Sequence, residues 1–502
     1  MKAIRTSLTA ATMAMLATFA VAQQDSQIVI EDDEVGGVYE GTFENGLRHG
    51  TGTYRLPSGF EYSGQWVEGE IQGRGTARYD SGAIYEGDFV KGQPDGRGKI
   101  VYPDGRTYEG EWTNGTINGT GIAMYSSGLR YEGGFKDAQY HGQGVLTGTD
   151  GSVYEGDWVD GQKTGSAKIT YADGSKYEGE IKDGRRHGQG SQVWVDGLTY
   201  DGTWAEDQMS GTGRQVQPNG DVYEGELVNN RRQGQGKSIY ANGATYEGDY
   251  ADDQRHGQGS YKGSDGFQYT GAWQRGQIEG LGEMIYPDGS VYVGDFQDDL
   301  PHGKGQTTYP DGSVYDGDWI AGVFEGTGTA TYPNGTAYTG TFKNARFDGR
   351  GILTFANGYR YDGDWADGIR QGKGKATFPD GIVYEGDFHD GKRHGTGTLT
   401  RPGGFSYTGE WADGKINGAG TATYETGDIY EGTFLDNKRH GEGTMRFAGG
   451  EVETGVWEND TPARESENAT ATPDPDTGPD PDIGDEASEP EPDAESLDSS
   501  NN

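Results

Sequence analysis

A Tyr-x-Gly-x-aromatic pattern returns every 23 residues along nearly the whole chain, with no insertion or deletion. Eighteen tyrosines stand on this grid, from Tyr39, Tyr62 and Tyr85 through to Tyr430. The next grid point is Glu453, still followed by Gly455 and Trp457. A fixed period in this range marks a repeat architecture of about 19 units. It also argues against catalysis, because a strict repeat supplies the same residues everywhere while an active site needs a unique constellation. No catalytic, cofactor-binding or metal-ligating residue is therefore assigned.

One unit shows how the repeat folds. In residues 85–107, Tyr85, Gly87 and Phe89 alternate with Glu86 and Asp88, the period-two signature of a strand with an aromatic and a carboxylate face. Lys91-Gly92 is a turn. Gly96, Gly98 and Ile100 alternate with Arg97 and Lys99 in a second strand. Tyr102-Pro103-Asp104-Gly105 closes the unit, with Pro pre-setting φ and Gly accepting φ > 0. Each unit is thus a β-hairpin, and the second strand's glycines leave room for large rings. The predicted fold is all-β: an elongated, single-layer antiparallel meander of tandem hairpins, with stability summed over neighbouring units.

The unit 384–397, Tyr-Glu-Gly-Asp-Phe-His-Asp-Gly-Lys-Arg-His-Gly-Thr-Gly, resembles a MORN (membrane occupation and recognition nexus) repeat. Tyr154-Glu-Gly-Asp-Trp158 and Tyr309-Pro-Asp-Gly312 fit the same pattern, which spans about 39–460. The resemblance implies the meander of hairpins and a scaffold or interaction role. In this family such arrays are often joined to a methyltransferase domain, a lipid-kinase domain or a membrane anchor. The flanks here lead us to expect none of these.

Those flanks divide the chain. Lys2 and Arg5 precede an apolar run from Leu8 to Val21, and Ala20-Val21-Ala22 is a small-x-small site before Gln23. Residues 1–22 read as a cleaved export signal, too short in their apolar run to span a bilayer. The expected location is periplasmic, cell-envelope or extracellular. Residues 23–38, with Ile28-Val29-Ile30, form a candidate cap, followed by the array at 39–460. Residues 461–502 hold 13 carboxylates against Arg464 alone, with repeated Pro-Asp and Glu-Pro, and read as a disordered acidic tail.

The formal net charge is −40. The signal contributes +2 and the tail −12, so the array itself holds −30. Such a field repels phosphate backbones, which excludes nucleic acid as a main partner and makes anionic lipid a weak one. There is no Cys, so disulfides and thiol chemistry are absent. The chain is only 31% apolar, yet 12% aromatic with 32 Tyr, and so not simply disordered.

The expected functional surface is the aromatic ladder: Tyr62, Trp66, Tyr108, Trp112, Tyr154, Trp158, Tyr315, Trp319, Tyr361, Trp365, Tyr407 and Trp411. Exposed, it would stack glycans; packed, it would be structural. A second candidate is a basic turn edge, where Arg185-Arg186-His187, Arg231-Arg232, Lys392-Arg393-His394 and Lys438-Arg439-His440 occupy equivalent slots. The plainer reading of that edge is a solvated turn that offsets neighbouring carboxylates. Seven of the eight histidines precede the Gly-x-Gly in equivalent slots, roughly 9–10 Å apart in space, too far to share a metal. The Glu-Gly-Asp carboxylates recur with the repeat and read as solvated face.

The fourth residue after each grid position alternates Phe and Trp over 46 residues. The alternation slips among Leu227, Tyr250 and Trp273, which marks a possible joint. The leading functional reading is an exported, non-enzymatic scaffold for protein partners or self-association, without cofactors. The alternative is a glycan- or lipid-binding module.

Overall fold

The computed structural model describes residues 29–32 and 34–463. The export signal and most of the acidic tail lie outside them. The described residues hold 39 strands, β1 to β39 in chain order, and no helix. A seven-residue and a nine-residue strand alternate, as in β8 (Thr107–Thr113) and β9 (Thr116–Met124). They divide into two compact units, one running up to Ala241 and taking in Tyr250–Asp253, the other made of Asn242–Asp249 and the described residues from Gln254 on. Within each, strands pair antiparallel with their chain neighbours, the meander expected from the repeat.

The local chemistry explains each hairpin. Lys91 and Gly92 both have positive φ, 50° and 81°, the two-residue turn whose twist matches the flanking strands. At the other end Gly105 N–H donates to Tyr102 O at 3.0 Å, and the Asp104 carboxylate accepts the Arg106 N–H at 3.1 Å. Successive hairpins are locked together by their turns. Gly92 N–H, for example, donates to Ile71 O at 2.9 Å.

The hairpins carry a register shift just after a central small-residue pair, two glycines in nearly all of them, as between Gly110 and Trp112 opposite Gly121. The two glycines of Gly-x-Gly have different work there. Gly119 has φ 86° and forms the bulge. Gly121 is cleared for the ring of Tyr108: a Cβ on it would fall 2.5 Å from Tyr108 Cε2. The core of each unit is therefore a row of rings lying on backbone. The grid tyrosines are at most 4% exposed. At roughly 25 cal/mol per Å², burying an aromatic ring contributes on the order of 4 kcal/mol. That outweighs the roughly 0.5–1 kcal/mol that each strand glycine costs.

At the ends the repeat runs out. β1 (Val29–Asp32) pairs with β2 (Val38–Glu44). β38 (Val452–Glu458) pairs with the preceding strand on one side but on the other with only the two-residue β39 (Thr461–Pro462), and a Cβ on Gly455 would touch nothing, because Glu453 replaces the ring.

Gly121→Ala should destabilise its hairpin by about 1–3 kcal/mol through overpacking against Tyr108. Because stability in repeat arrays is local, hydrogen exchange should speed up in residues 107–135 and stay unchanged beyond about residue 180. Uniform loss of protection along the chain would contradict this.

Candidate functional site

Within each unit the predicted ladder residues are brought together as a row, and they are packed. The tryptophans are 2–7% exposed. Each fourth-position ring meets its own grid Tyr and the preceding one edge-on. Trp112 lies 5.6 Å from Tyr108 and 5.2 Å from Tyr85. Trp319 lies 5.4 Å from Tyr315 and 5.0 Å from Tyr292. Trp66, Trp158, Trp365 and Trp411 repeat the contact with Tyr62, Tyr154, Tyr361 and Tyr407 at 5.0–5.5 Å. Edge-to-face pairs of this kind add roughly 0.5–1.5 kcal/mol beyond burial.

The polar ends of these rings are also satisfied internally. Tyr62 donates to Gln65 O and Tyr407 to Glu410 O, each at 3.0 Å. Indole N–H groups donate to a glycine carbonyl fourteen residues earlier, from Trp365 to Gly351 O at 3.3 Å and from Trp411 to Gly397 O at 3.2 Å. Burial pushes the phenols of Tyr62 and Tyr154 up to about 12, and those of Tyr108, Tyr315, Tyr361 and Tyr407 higher still. The ladder presents no free ring face, so the glycan-stacking surface is not there.

The slip residues are packed like their counterparts. Leu227 is 1% exposed. Tyr250 stands 5.2 Å from Tyr223, and its hydroxyl shares a hydrogen bond with Ser238 at 2.6 Å. Trp273 stands 5.3 Å from both Tyr246 and Tyr269 and donates to Gly259 O at 3.2 Å.

The basic edge differs from its reading as a solvated turn. The second cation of each pair folds over the rings. Arg186 Cζ lies 4.2 Å from the Trp204 ring, Arg393 4.9 Å from Trp411 and Arg439 4.7 Å from Trp457. Arg232 lies 5.1 Å from Tyr250. Arg186 also donates to Asp207 O at 2.8 Å. The outer cations are the ones in solvent, and two of them pair with carboxylates, Arg185 with Glu206 at 3.2 Å and Arg231 with Asp252 at 3.1 Å.

This ninth slot after the grid Tyr was missed as a structural position. Elsewhere it holds further Arg or Ile, Pro, Met, Tyr, Phe or Lys, and Tyr140 and Phe347 stack on the grid ring at 3.7 Å. The signal was in the chain: no carboxylate ever occupies the slot. Where it is short, at Ile278 and Pro301, the aromatic face opens into a pocket against Phe267, Trp273, Met284 and Tyr286. The polar groups at its rim are already engaged, Arg255 on Gly276 O at 3.2 Å and Asp299 on the Ile278 N–H at 2.7 Å.

The third-position carboxylate is a second correction to a solvated face. It accepts the backbone N–H that the bulge frees nine residues later, as Glu111 does from Thr120 at 3.0 Å and Asp318 from Thr327 at 2.8 Å. The histidine slot does the same for the next turn. His302 Nδ1 accepts the Ala321 N–H at 3.4 Å, and Gln72 and Asp95 fill that role elsewhere. Among the described residues no three His, Asp or Glu converge as a metal site.

The Lys304 ammonium pairs with Asp318 and, with Thr327, holds its carboxyl below the usual carboxylate range. Its folded pKa lies below its unfolded one. The stabilisation is therefore whole above the unfolded pKa and lost as pH falls through the folded one. Asp318→Asn should lower the thermal midpoint at pH 7, and the gap should narrow as pH falls below the usual carboxylate range. A gap independent of pH would remove the charge as its cause.

The sequence pattern of the MORN repeat matches eighteen times in tandem, from residues 39–60 to 430–452. No curated protein matches the chain. Among solved structures, the Drosophila melanogaster SAS-4 TCP domain in complex with a proline-rich motif of Ana2 is 15% identical, covering 34% of this chain and 86% of that one, at a TM-score of 0.21. The Danio rerio CPAP TCP10 domain in complex with a STIL peptide is 14% identical, covering 54% and 94%, at 0.18. Staphylococcus aureus virginiamycin B lyase is 12% identical, covering 66% and 92%, at 0.10. Scores this low carry no argument, whereas the tandem match covers most of the chain together with the ring, glycine and turn geometry: the chain belongs to the MORN repeat family.

Proposed function

We propose that the protein is an exported scaffold without catalysis of its own, acting at the cell envelope through protein contacts or self-association. The observation that carries this reading is the division of labour between the two faces. The ladder rings are used up in packing, and the polar side of the sheet is left for a partner. That side is built of cross-strand ion pairs such as Lys99–Glu109 at 3.4 Å and hydroxyl pairs such as Thr398–Thr408 at 3.0 Å. Surface pairs of this kind add little stability, but they give a patterned face that favours one partner over another.

Membrane binding through the basic edge has weaker support. The inner arginines are engaged on rings, outer ones are paired, and the array is acidic. Export rests on the charged start, apolar run and Ala-x-Ala site of residues 1–22.

Two measurements test the proposal. The mature N-terminus should be Gln23, and crosslinking of the full chain in cells should map partner contacts to polar-face residues. An uncleaved cytoplasmic chain would sink the export part. Crosslinks confined to the basic edge, together with co-sedimentation on phosphatidylserine vesicles in about 0.15 M salt, would favour the membrane instead.

A further inference from the structure

The repeat provides its own control, since each slot of the polar face recurs in unit after unit. The slot after the grid position holds Glu, Asp, Ser or Thr in every unit except one, where it is Val293. The twelfth slot is polar or Ala everywhere except at Leu281. The fourteenth slot is acidic only at Glu283. All three exceptions are neighbours. β23 (Gln277–Ile285) and β24 (Val291–Gln297) pair so that Leu281 faces Asp295 and Glu283 faces Val293. Leu281 and Val293 are thus diagonal neighbours, and Ala272 adds a third small apolar group where most units carry a carboxylate or hydroxyl.

These side chains are open to solvent, Leu281 by 69% and Val293 by 50%. At the same pair of slots other units make an ion pair: Lys168–Glu178 at 3.1 Å, Arg214–Glu224 at 2.9 Å and Lys375–Glu385 at 3.4 Å. Here the cation is replaced by a carboxylate and its acid by valine. Glu283 has no ion pair among the described residues. Nothing in the hairpin's packing calls for this exchange, because the rings and glycines of the other face are unchanged.

We propose that this island is the docking site for an extended, cationic segment of a partner protein. The reading rests on the scaffold function and names its contact point. Charge decides the sign of the partner: residues 246–314 hold twelve carboxylates against four Lys and Arg. A second copy of this chain would bring the same field against itself, and so would an anionic surface. Size decides its form, because two exposed apolar side chains are far short of the roughly 800 Å² per partner of a stable domain interface. Spacing decides its pattern. Leu281 and Glu283 are two apart on one strand face, and side chains on one face of an extended segment recur at roughly 6.8 Å. The segment that fits is apolar-x-Lys/Arg.

The test uses the full chain and a fluorescein-labelled peptide of alternating Leu and Lys, followed by anisotropy in about 0.15 M salt. Leu281→Thr with Val293→Thr leaves charge and strand propensity in place, and should weaken binding at least about tenfold. Glu283→Lys should weaken it to a similar degree. Ile320→Thr with Val323→Thr removes comparable exposed surface elsewhere, 54% and 40% exposed in the native chain, and should change binding less than about twofold. Equal weakening by the two double variants, or none by the first, would overturn the site. In cells, a Leu281→Thr/Val293→Thr chain that keeps all its crosslinked partners would remove this patch while leaving the scaffold standing. A native chain with no protein crosslinks would remove the scaffold itself.

Discussion

Everything in this fold depends on a tyrosine ring lying flat on two paired glycines. A single sheet has no second layer to bury its apolar face, and an exposed row of rings would invite association. The glycines solve this by removing Cβ atoms from the space above the backbone. The ring of Tyr108 takes that space, and Trp112 and Phe135 close it from either side, Phe135 at 5.0 Å from Tyr108. Ring and backbone thereby act as the two layers of an ordinary core. The same contact explains the absence of insertions. One added residue would turn each following side chain to the opposite face, and put the rings in water.

That arrangement creates a difficulty which other slots resolve. Pressing a ring onto Gly121 requires the bulge at Gly119, and the bulge takes a backbone N–H out of the ladder. The third-position carboxylate accepts that N–H. The ninth-position side chain then covers the ring edge from the next turn. Arg suits this slot because its planar guanidinium stacks on the indole while its remaining donors reach the turn carbonyl, as Arg439 does to Asp460 O at 3.0 Å. A lysine can manage only the first of these. At Lys163 the ammonium sits 4.5 Å from the Tyr154 ring, and burial lowers its pKa.

The grid, the hairpins and the ring-on-glycine contact were legible in the sequence because each is carried by residues that recur in nearly every unit, Ala167 and Glu453 being exceptions. The ninth slot was not, because its occupants share no chemistry. Arg48, Ile71, Pro94 and Tyr140 have in common only that they cover a ring, and that is a fact of packing. The third-position carboxylate was hidden for a different reason. Strict period-two alternation places Asp88 on a solvated face, and only the register shift after Gly87 brings the Arg97 N–H within 3.1 Å of it. A bulge is a departure from alternation, so a reading built on alternation passes over it. The rings were read correctly as a ladder, but their exposure could not be judged without knowing that neighbours 23 residues away meet edge-on.

A repeat of this regularity also changes where function can be sought. In an ordinary domain a lone exposed Leu or an unpaired Glu means little, because no equivalent position exists for comparison. Here each side chain has up to eighteen counterparts under nearly the same backbone, so departures can be sorted by their structural cost. Substitutions in the ninth slot are all made against the rings, as with Arg over Trp204, Trp411 and Trp457. Those variations belong to packing. Leu281, Glu283 and Val293 lie on the face that packing does not use, and they break a charge pattern that holds in other units. A scaffold made of identical units could only bind identically along its length. Telling one partner from another requires that some unit differ on its outer face while keeping its inner face intact, and the hairpins around 269–295 do both.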